Sequence, residues 1–275
     1  MHLLRIGCAS LLACLYAEYS WASPMPIPLG TAGSFGVLAG STVTNTGSSV
    51  IHGDIGLSPG SAVTGFPPGI VVGGTIHAGD QSATQAQADL ASAYIAAAAQ
   101  PSGVVLSGQD LGGLTLTPGV YTFASAAQLT GTLTLSGGNA SGAVFLFQIG
   151  TTLTTATASS ILLMQGASGA NVFWQVGSSA TLGVASEFSG TILAAVSITL
   201  DTGASIGCGR ALARNGAVAL DDNAVAASTC QATVSPTGVP ETGSALLLAT
   251  ASLIAGFWTR LARYGWSMSP AIVAV

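Results

Sequence analysis

Between residues 127 and 221 one short pattern returns five times: a leucine held between two small or polar neighbours. It reads Ala127-Gln128-Leu129-Thr130, Thr151-Thr152-Leu153-Thr154, Ala180-Thr181-Leu182-Gly183, Ile198-Thr199-Leu200-Asp201 and Val218-Ala219-Leu220-Asp221. By subtraction of their numbers, successive leucines lie 24, 29, 18 and 20 residues apart. Self-similarity at such a period is the mark of stacked coils, each unit burying its apolar side against the next. Side chains alternate across a strand, so each leucine points inward while its two neighbours face out. The uneven spacing gives the coils loops of different length. Further strand-like stretches lie between, at 120–123, 132–135, 144–147, 160–163, 172–176 and 191–193, bounded by Gly, Ser or Asn. The pattern predicts a mostly β chain wound as an irregular β-solenoid (β-helix). Trp174 and Phe173 read as its core, although one of such an alternating pair must face out.

One segment departs from the two-residue period. Residues 81–99, QSATQAQADLASAYIAAAA, place Ala83, Ala86, Leu90, Tyr94 and Ala97 three or four apart. That spacing predicts an amphipathic α-helix. Asp80 is placed to cap its start, and Pro101 ends it. Its apolar face is mostly alanine, which lets the helix lie close against the flank of the coils.

Only 5% of residues are charged, against roughly 25% in an ordinary globular domain. There is no lysine, and the five arginines are Arg5, Arg210, Arg214, Arg260 and Arg263. Nucleic acid is excluded as a partner, since neutralising phosphates takes a cluster of basic side chains. A hydrophobic fraction of 49% argues for a packed chain and not a disordered one.

Both ends read as processing signals. Residues 1–22 carry Arg5, an apolar run over 6–17 and Ser20-Trp21-Ala22 as a small-x-small cleavage site, the layout of a secretory signal peptide. At the other end, Val239-Pro240-Glu241-Thr242-Gly243 precedes an apolar stretch over 244–258 and then Arg260 and Arg263. That stretch is short beside the roughly 17 to 25 residues of a stable transmembrane helix. It resembles an exosortase (PEP-CTERM) sorting signal and also a sortase signal, and a plain membrane anchor is the third reading. The two sorting signals make the membrane and a processing enzyme transient partners, and all three readings put the protein outside a bacterial cell, at the outer surface or in extracellular matrix. The chain then divides into a leader (1–22), a body (23–232), a linker (233–239), a sorting segment (240–263) and a tail (264–275). Cys8 and Cys14 leave with the leader, so Cys208 and Cys230 remain. Two cysteines in an exported chain most simply form one disulfide.

The body also carries longer motifs. FGVLAGSTVTNTGSSVIHGDIGLSPGSAVTGFPPG (35–69), TIHAGD (75–80), LTPGVYTF (116–123), AVFLFQIGTTLTT (143–155), NVFWQVGSSATLG (171–183) and GRALARNGAVALD (209–221) follow one another in order. Together they resemble the microbial ice-binding proteins. The resemblance implies a right-handed, discontinuous β-solenoid of triangular section with a long helix alongside. It implies ice, or an ordered water surface, as the partner, and brings no cofactor.

An ice-facing surface needs a flat, rigid, weakly charged array of hydroxyl and methyl groups. Threonine supplies both on a stiff β-branched stem. The candidates are Thr130, Thr152, Thr154, Thr181 and Thr199 beside the leucines, with Thr155, Thr157, Ser186, Thr202 and Ser205 just beyond. Some members of the resembled family repeat Thr, a small residue, any residue, then Thr or Asn. Here the segment from Thr202 to Ser205 comes near it, while Val184 opens and Glu187 closes another copy. A structural or adhesive matrix protein of the same fold is the rival reading.

Catalysis has less behind it. Gly56-Leu57-Ser58-Pro59-Gly60 matches G-x-S-x-G. In a nucleophile elbow the residue after the serine donates its N–H to the oxyanion, and Pro59 has none. A polysaccharide-cleaving enzyme needs clustered acids, and the eight of the body are scattered. His52 with Asp54, and His77 with Asp80, offer too few ligands for a metal site.

Overall fold

The computed structural model describes residues 24–227. The expected leader, Cys230, the linker, the sorting segment and the tail lie outside the described residues. The described chain is mostly β, built of parallel ladders, with one long helix at Gln81–Ala98. Each strand pairs with the equivalent strand of the next coil, so its partner is set by a whole coil and not by a hairpin.

Three ladders result. The first runs through Val104–Val105, Gly119–Phe123, Phe145–Ile149 and Val172–Val176, then the second halves of Glu187–Ala194 and Ser205–Ala213. It continues into Phe35–Ala39, Asp54–Leu57 and Ile76–Ala78. The second takes Thr132–Ser136, Ser160–Met164 and the first halves of those two long strands, then Ala224–Ala226, Val50–His52 and Ile70–Val72. The third is a separate seven-stranded sheet. Its order is Ala127–Leu129, Leu153–Thr155, Ala180–Leu182, Ile198–Leu200, Val218–Asp221, Thr42–Thr46, Ala62–Thr64. All three ladders therefore add the amino-terminal strands after the carboxy-terminal ones, with Val37 beside Ala211, Ile51 beside Val225 and Thr44 beside Ala219.

The long strands pass from the second ladder to the first through a register shift at Gly190 and Gly209. Gly190 has φ +105°, and a Cβ on Gly209 would meet the Gly190 carbonyl oxygen at 1.9 Å. Two adjacent coils bend there with their backbones in contact, which is why neither position carries a side chain.

Inside the coils the expected leucines are buried: Leu129, Leu153, Leu182, Leu200 and Leu220 all face the core. Beside them Tyr121, Phe147, Trp174 and Phe188 stack from coil to coil. Phe147 and Trp174 lie parallel, with ring centroids 3.8 Å apart. Trp174 Nε1 donates to the Ser189 carbonyl at 3.1 Å, so its one polar atom is satisfied.

The helix covers the outer side of the first ladder. Ala86, Leu90, Ala93 and Ala97 pack on Leu38, Val120, Leu146, Phe173, Leu193 and Leu212. Phe173 thus points out of the coils, as alternation requires, yet is buried under the helix. Asp80 caps the helix by accepting from the Ala83 N–H at 2.9 Å. At the other end Gln148 Nε2 donates to the carbonyls of Ala97 and Gln100, both at 2.9 Å. A side chain of the ladder thereby satisfies acceptors that a helix end leaves unpaired.

Asp89, on the helix, accepts from the Thr31 hydroxyl and N–H, both at 2.7 Å, and from Gln85 at 2.9 Å. These bonds, the Thr31 hydroxyl foremost, hold its carboxyl below the ordinary range. Asp80 is lowered too, first by the Ala83 N–H and then by His77. A carboxyl lowered by folding favours the fold above its unfolded value, near about pH 3.9. That contribution is lost as pH falls through the lower folded value.

Two outcomes follow for stability. Trp174→Ala leaves a void in the aromatic stack and is expected to cost about 3–5 kcal/mol in denaturant unfolding. Melting temperature is expected to fall on acidification below about pH 4. Asp89→Asn should flatten that acid limb in thermal melts.

Candidate functional site

In the seven-stranded sheet, parallel register sets equivalent residues side by side. The central outward column reads Gln128, Thr154, Thr181, Thr199, Ala219, Thr44, Thr64. On its inner side the same strands present Ala127, Leu153, Ala180, Ile198, Val218 and Val43, all buried. Alternation along the strand, and not any choice of the individual threonine, is what turns the hydroxyls outward.

A second outward column precedes it by two residues, holding Thr152, Ser179, Ser197, Ala217 and Thr42; backbone bonds from Leu153 to Ser179, Ala180 to Ser197 and Ile198 to Ala217 fix the series. Two of its hydroxyls are tied down: Ser179 Oγ accepts from the Ser197 N–H at 3.3 Å, and Ser197 Oγ from the Ala217 N–H at 3.1 Å. On the other side lies a third column, where Asp221 stands beside Thr46 and the Asp201 N–H donates to the Leu182 carbonyl.

The ten candidate positions separate on this frame. Thr152, Thr154, Thr181 and Thr199 share the seven-stranded sheet, with Thr154 exposed and the others half-buried. Thr130, Thr157 and Thr202 are exposed at its border, in or next to turns. Thr130 donates its hydroxyl to Asp110 at 2.9 Å, and Thr202 donates to Asp221. Burial opposes ionisation of Asp110, yet the N–H groups of Gly112 and Thr130 and the Thr130 hydroxyl outweigh it and hold the carboxyl below the usual range.

Three positions lie elsewhere. Ser205 belongs to the second ladder, between Glu187 and Ala224. Thr155 and Ser186 are inside the coils, 3% and 1% exposed. Thr155 stands in register with Leu129, and its Oγ1 accepts from the Gly183 N–H at 2.9 Å. Adjacent residues of a strand cannot share a face, so an outward Thr154 sends Thr155 in. Ser186 sits at the corner between two ladders, where the chain turns inward.

Sequence reasoning missed four hydroxyls, Thr42, Thr44, Thr46 and Thr64. Their local signal was present, since Thr42-Val43-Thr44-Asn45-Thr46 alternates with period two. What no local pattern carries is that this strand lies against residues 218–221.

The other motifs do not assemble. Ser58 is buried at the end of its strand, and its hydroxyl pairs with that of Thr84 at 3.0 Å. His52 lies on the second ladder and His77 on the first. His77 bonds Asp80 at 2.7 Å and the Thr75 hydroxyl at 2.8 Å, bracing the helix start.

The chain is similar to known ice-binding proteins. A family model described as Ice-binding-like matches residues 37–226. An ice-binding protein of Nostoc sp. (strain HG1) is 53% identical over 240 residues, covering 86% of this chain and 88% of that protein. The crystal structure of an ice-binding protein from an Antarctic biological consortium has a TM-score of 0.72 at 48% identity, covering 74% of this chain and 92% of that one. An ice-binding protein from the Antarctic ascomycete Antarctomyces psychrotrophicus gives 0.71 at 45%, covering 74% and 98%.

The inward and outward assignments are separable by experiment. Thr155→Val removes the acceptor of the buried Gly183 N–H and is expected to cost about 1–3 kcal/mol of stability. Thr154→Val, on the surface, should change stability by no more than about 0.5 kcal/mol in the same unfolding measurement.

Proposed function

This chain belongs to the ice-binding-like family, and from that premise we propose that it is an exported protein that binds ice through the seven-stranded threonine sheet. The observation that carries the reading is the register of Thr154, Thr181 and Thr199, with Thr44 and Thr64 in the same column beyond Ala219. Successive rungs lie about 4.8 Å apart and residues two apart on one strand about 6.6 Å apart, a grid that holds an ordered layer of water. Each β-branched side chain is stiff, so little rotamer entropy is lost when water or ice orders on it.

The remaining faces suit the role less. The helix closes the first ladder. The second carries Glu187, His52 and the apolar Ile70, Val72 and Leu162 on its outer side. Binding needs no bond chemistry, so the protein is read as a non-enzyme that limits ice growth or attaches its bearer to ice. The coils are read as a right-handed irregular β-solenoid.

Export, removal of residues 1–22, the body at 23–232 and handling of residues 240–263 by an exosortase or sortase belong to the same reading. It places the protein at the outer surface or in the matrix of a bacterium. A Cys208–Cys230 disulfide completes it, supported by Cys208 not being a free thiol.

Thermal hysteresis and ice recrystallisation inhibition test the proposal. The mature protein should shape ice crystals, and Thr154→Tyr should abolish most of that activity while leaving melting temperature unchanged. Full activity in Thr154→Tyr moves the site to another face; no activity in the parent returns the protein to the structural or adhesive reading.

A further inference from the structure

The threonine array is not continuous. The strand Val218–Asp221 lies between Ile198–Leu200 and Thr42–Thr46. Its outward residues, with the one just before it, are Ala217, Ala219 and Asp221, so this rung presents no hydroxyl. Three consecutive threonine rungs stand on one side (Thr154, Thr181, Thr199) and two on the other (Thr44, Thr64). We infer that this rung divides the ice-facing array into two patches, and that Ala219 is the residue that limits how far the array extends.

The surroundings of Ala219 support a break and not a mere local variation. An open hollow of about 330 Å³ lies over it, lined by Thr44, Thr199, Ala219, Asp201, Asp221 and Thr202 among others. Thr199 and Thr44 are two rungs apart across it, about 9.6 Å at the usual strand spacing. Two carboxylates border the hollow, and Thr202 donates to one of them, Asp221. Water beside a carboxylate points its hydrogens at the charge, which is not the four-coordinate arrangement that a threonine grid offers. A water layer held on either patch therefore meets a disordered strip at this rung. Two patches that cannot engage one ice plane in register bind as separate weak sites and lose the gain of simultaneous attachment.

The hollow also shows that the defect is open to repair. Ala219 is half-buried in an outward strand position with free space above it. A β-branched side chain suits such a position. Ala219→Thr would turn the run of three threonine rungs into one of six.

The inference rests on the ice-binding reading above, and the experiment separates the two. Thermal hysteresis is measured at equal concentration for the mature chain, Ala219→Thr, Ala219→Val, and Ala219→Thr combined with Thr44→Tyr. With the parent active, Ala219→Thr is expected to raise activity about twofold, following the doubled contiguous run. Ala219→Val, which restores methyls without the hydroxyl, should gain less. Adding Thr44→Tyr should remove the gain, because one of the joined patches is then blocked. A folded Ala219→Thr no more active than the parent overturns the inference, as does a gain that survives Thr44→Tyr. Should Ala219→Thr fail to fold, Ala219→Ser carries the hydroxyl with less bulk, and no gain from it overturns the inference equally. An inactive parent overturns the ice-binding reading and this inference with it.

Discussion

The property on which the rest depends is the in-register parallel pairing of one coil with the next. Parallel register puts like above like, so one residue choice made per coil becomes a column running the length of the stack. The inward column of Leu129, Leu153, Leu182, Leu200 and Leu220 is one such series, and the aromatic stack from Tyr121 to Phe188 is another. The outward threonines are a third, produced by the same pairing read on the opposite side of the strand. Core and surface are therefore not independently adjustable. A one-residue slip would exchange them, since every side chain would move to the other face.

Three ladders need three solutions for their outer sides, and the chain uses a different one for each. The first is closed by the helix, whose alanines let it approach the ladder and whose last carbonyls are held by Gln148. The second is left mixed, with Glu187 in register with Ser160 and Ser205 and with Val50 beside Ile70. The third is left open and rich in hydroxyls. The amino-terminal strands then extend all three ladders past the carboxy-terminal ones. That long-range closure lengthens the open sheet by two strands, and it buries Val43 and Ile51 in the same step.

Much of this was readable from residues alone, and what was not has a common cause. The helix reads to within one residue of its end, because alanine spacing, Asp80 and Pro101 are all local signals. The inward leucines read correctly because period-two alternation is local as well. Thr155 and Ser186 were misplaced, the first by extending the outward side across two adjacent residues and the second by ignoring the corner. Thr44 and Thr64 were missed for a different reason. Their alternation is plain, but Thr44 stands beside Ala219, with Thr64 beyond it, by a contact across some 175 residues of sequence, and no window of the chain contains it. Single-strand patterns give the facing of a residue; only the stacking order gives its neighbours.

The scarcity of charge can be given a positional meaning that composition did not supply. Of the eight acidic residues in the body, five accept a backbone N–H: Asp54 from Thr75, Asp80 from Ala83, Asp89 from Thr31, Asp110 from Gly112 and Thr130, and Asp222 from Ser48. These are turn and cap contacts, where a carboxylate satisfies donors that regular pairing leaves unpaired. The two described arginines are also engaged away from the threonine sheet. Arg210 Nε donates to the Gly33 carbonyl at 2.9 Å, and Arg214 lies over the Tyr94 ring. Apart from Glu187 on the second ladder, charge thus gathers at turns and on the helix side. Asp110, Asp201 and Asp221 reach the border of the open sheet, and Asp221 does so on the one rung that lacks a hydroxyl. At this rung the edge of the sheet carries the Asp221 carboxylate, bonded to the Thr202 hydroxyl, where the neighbouring rung carries Thr46.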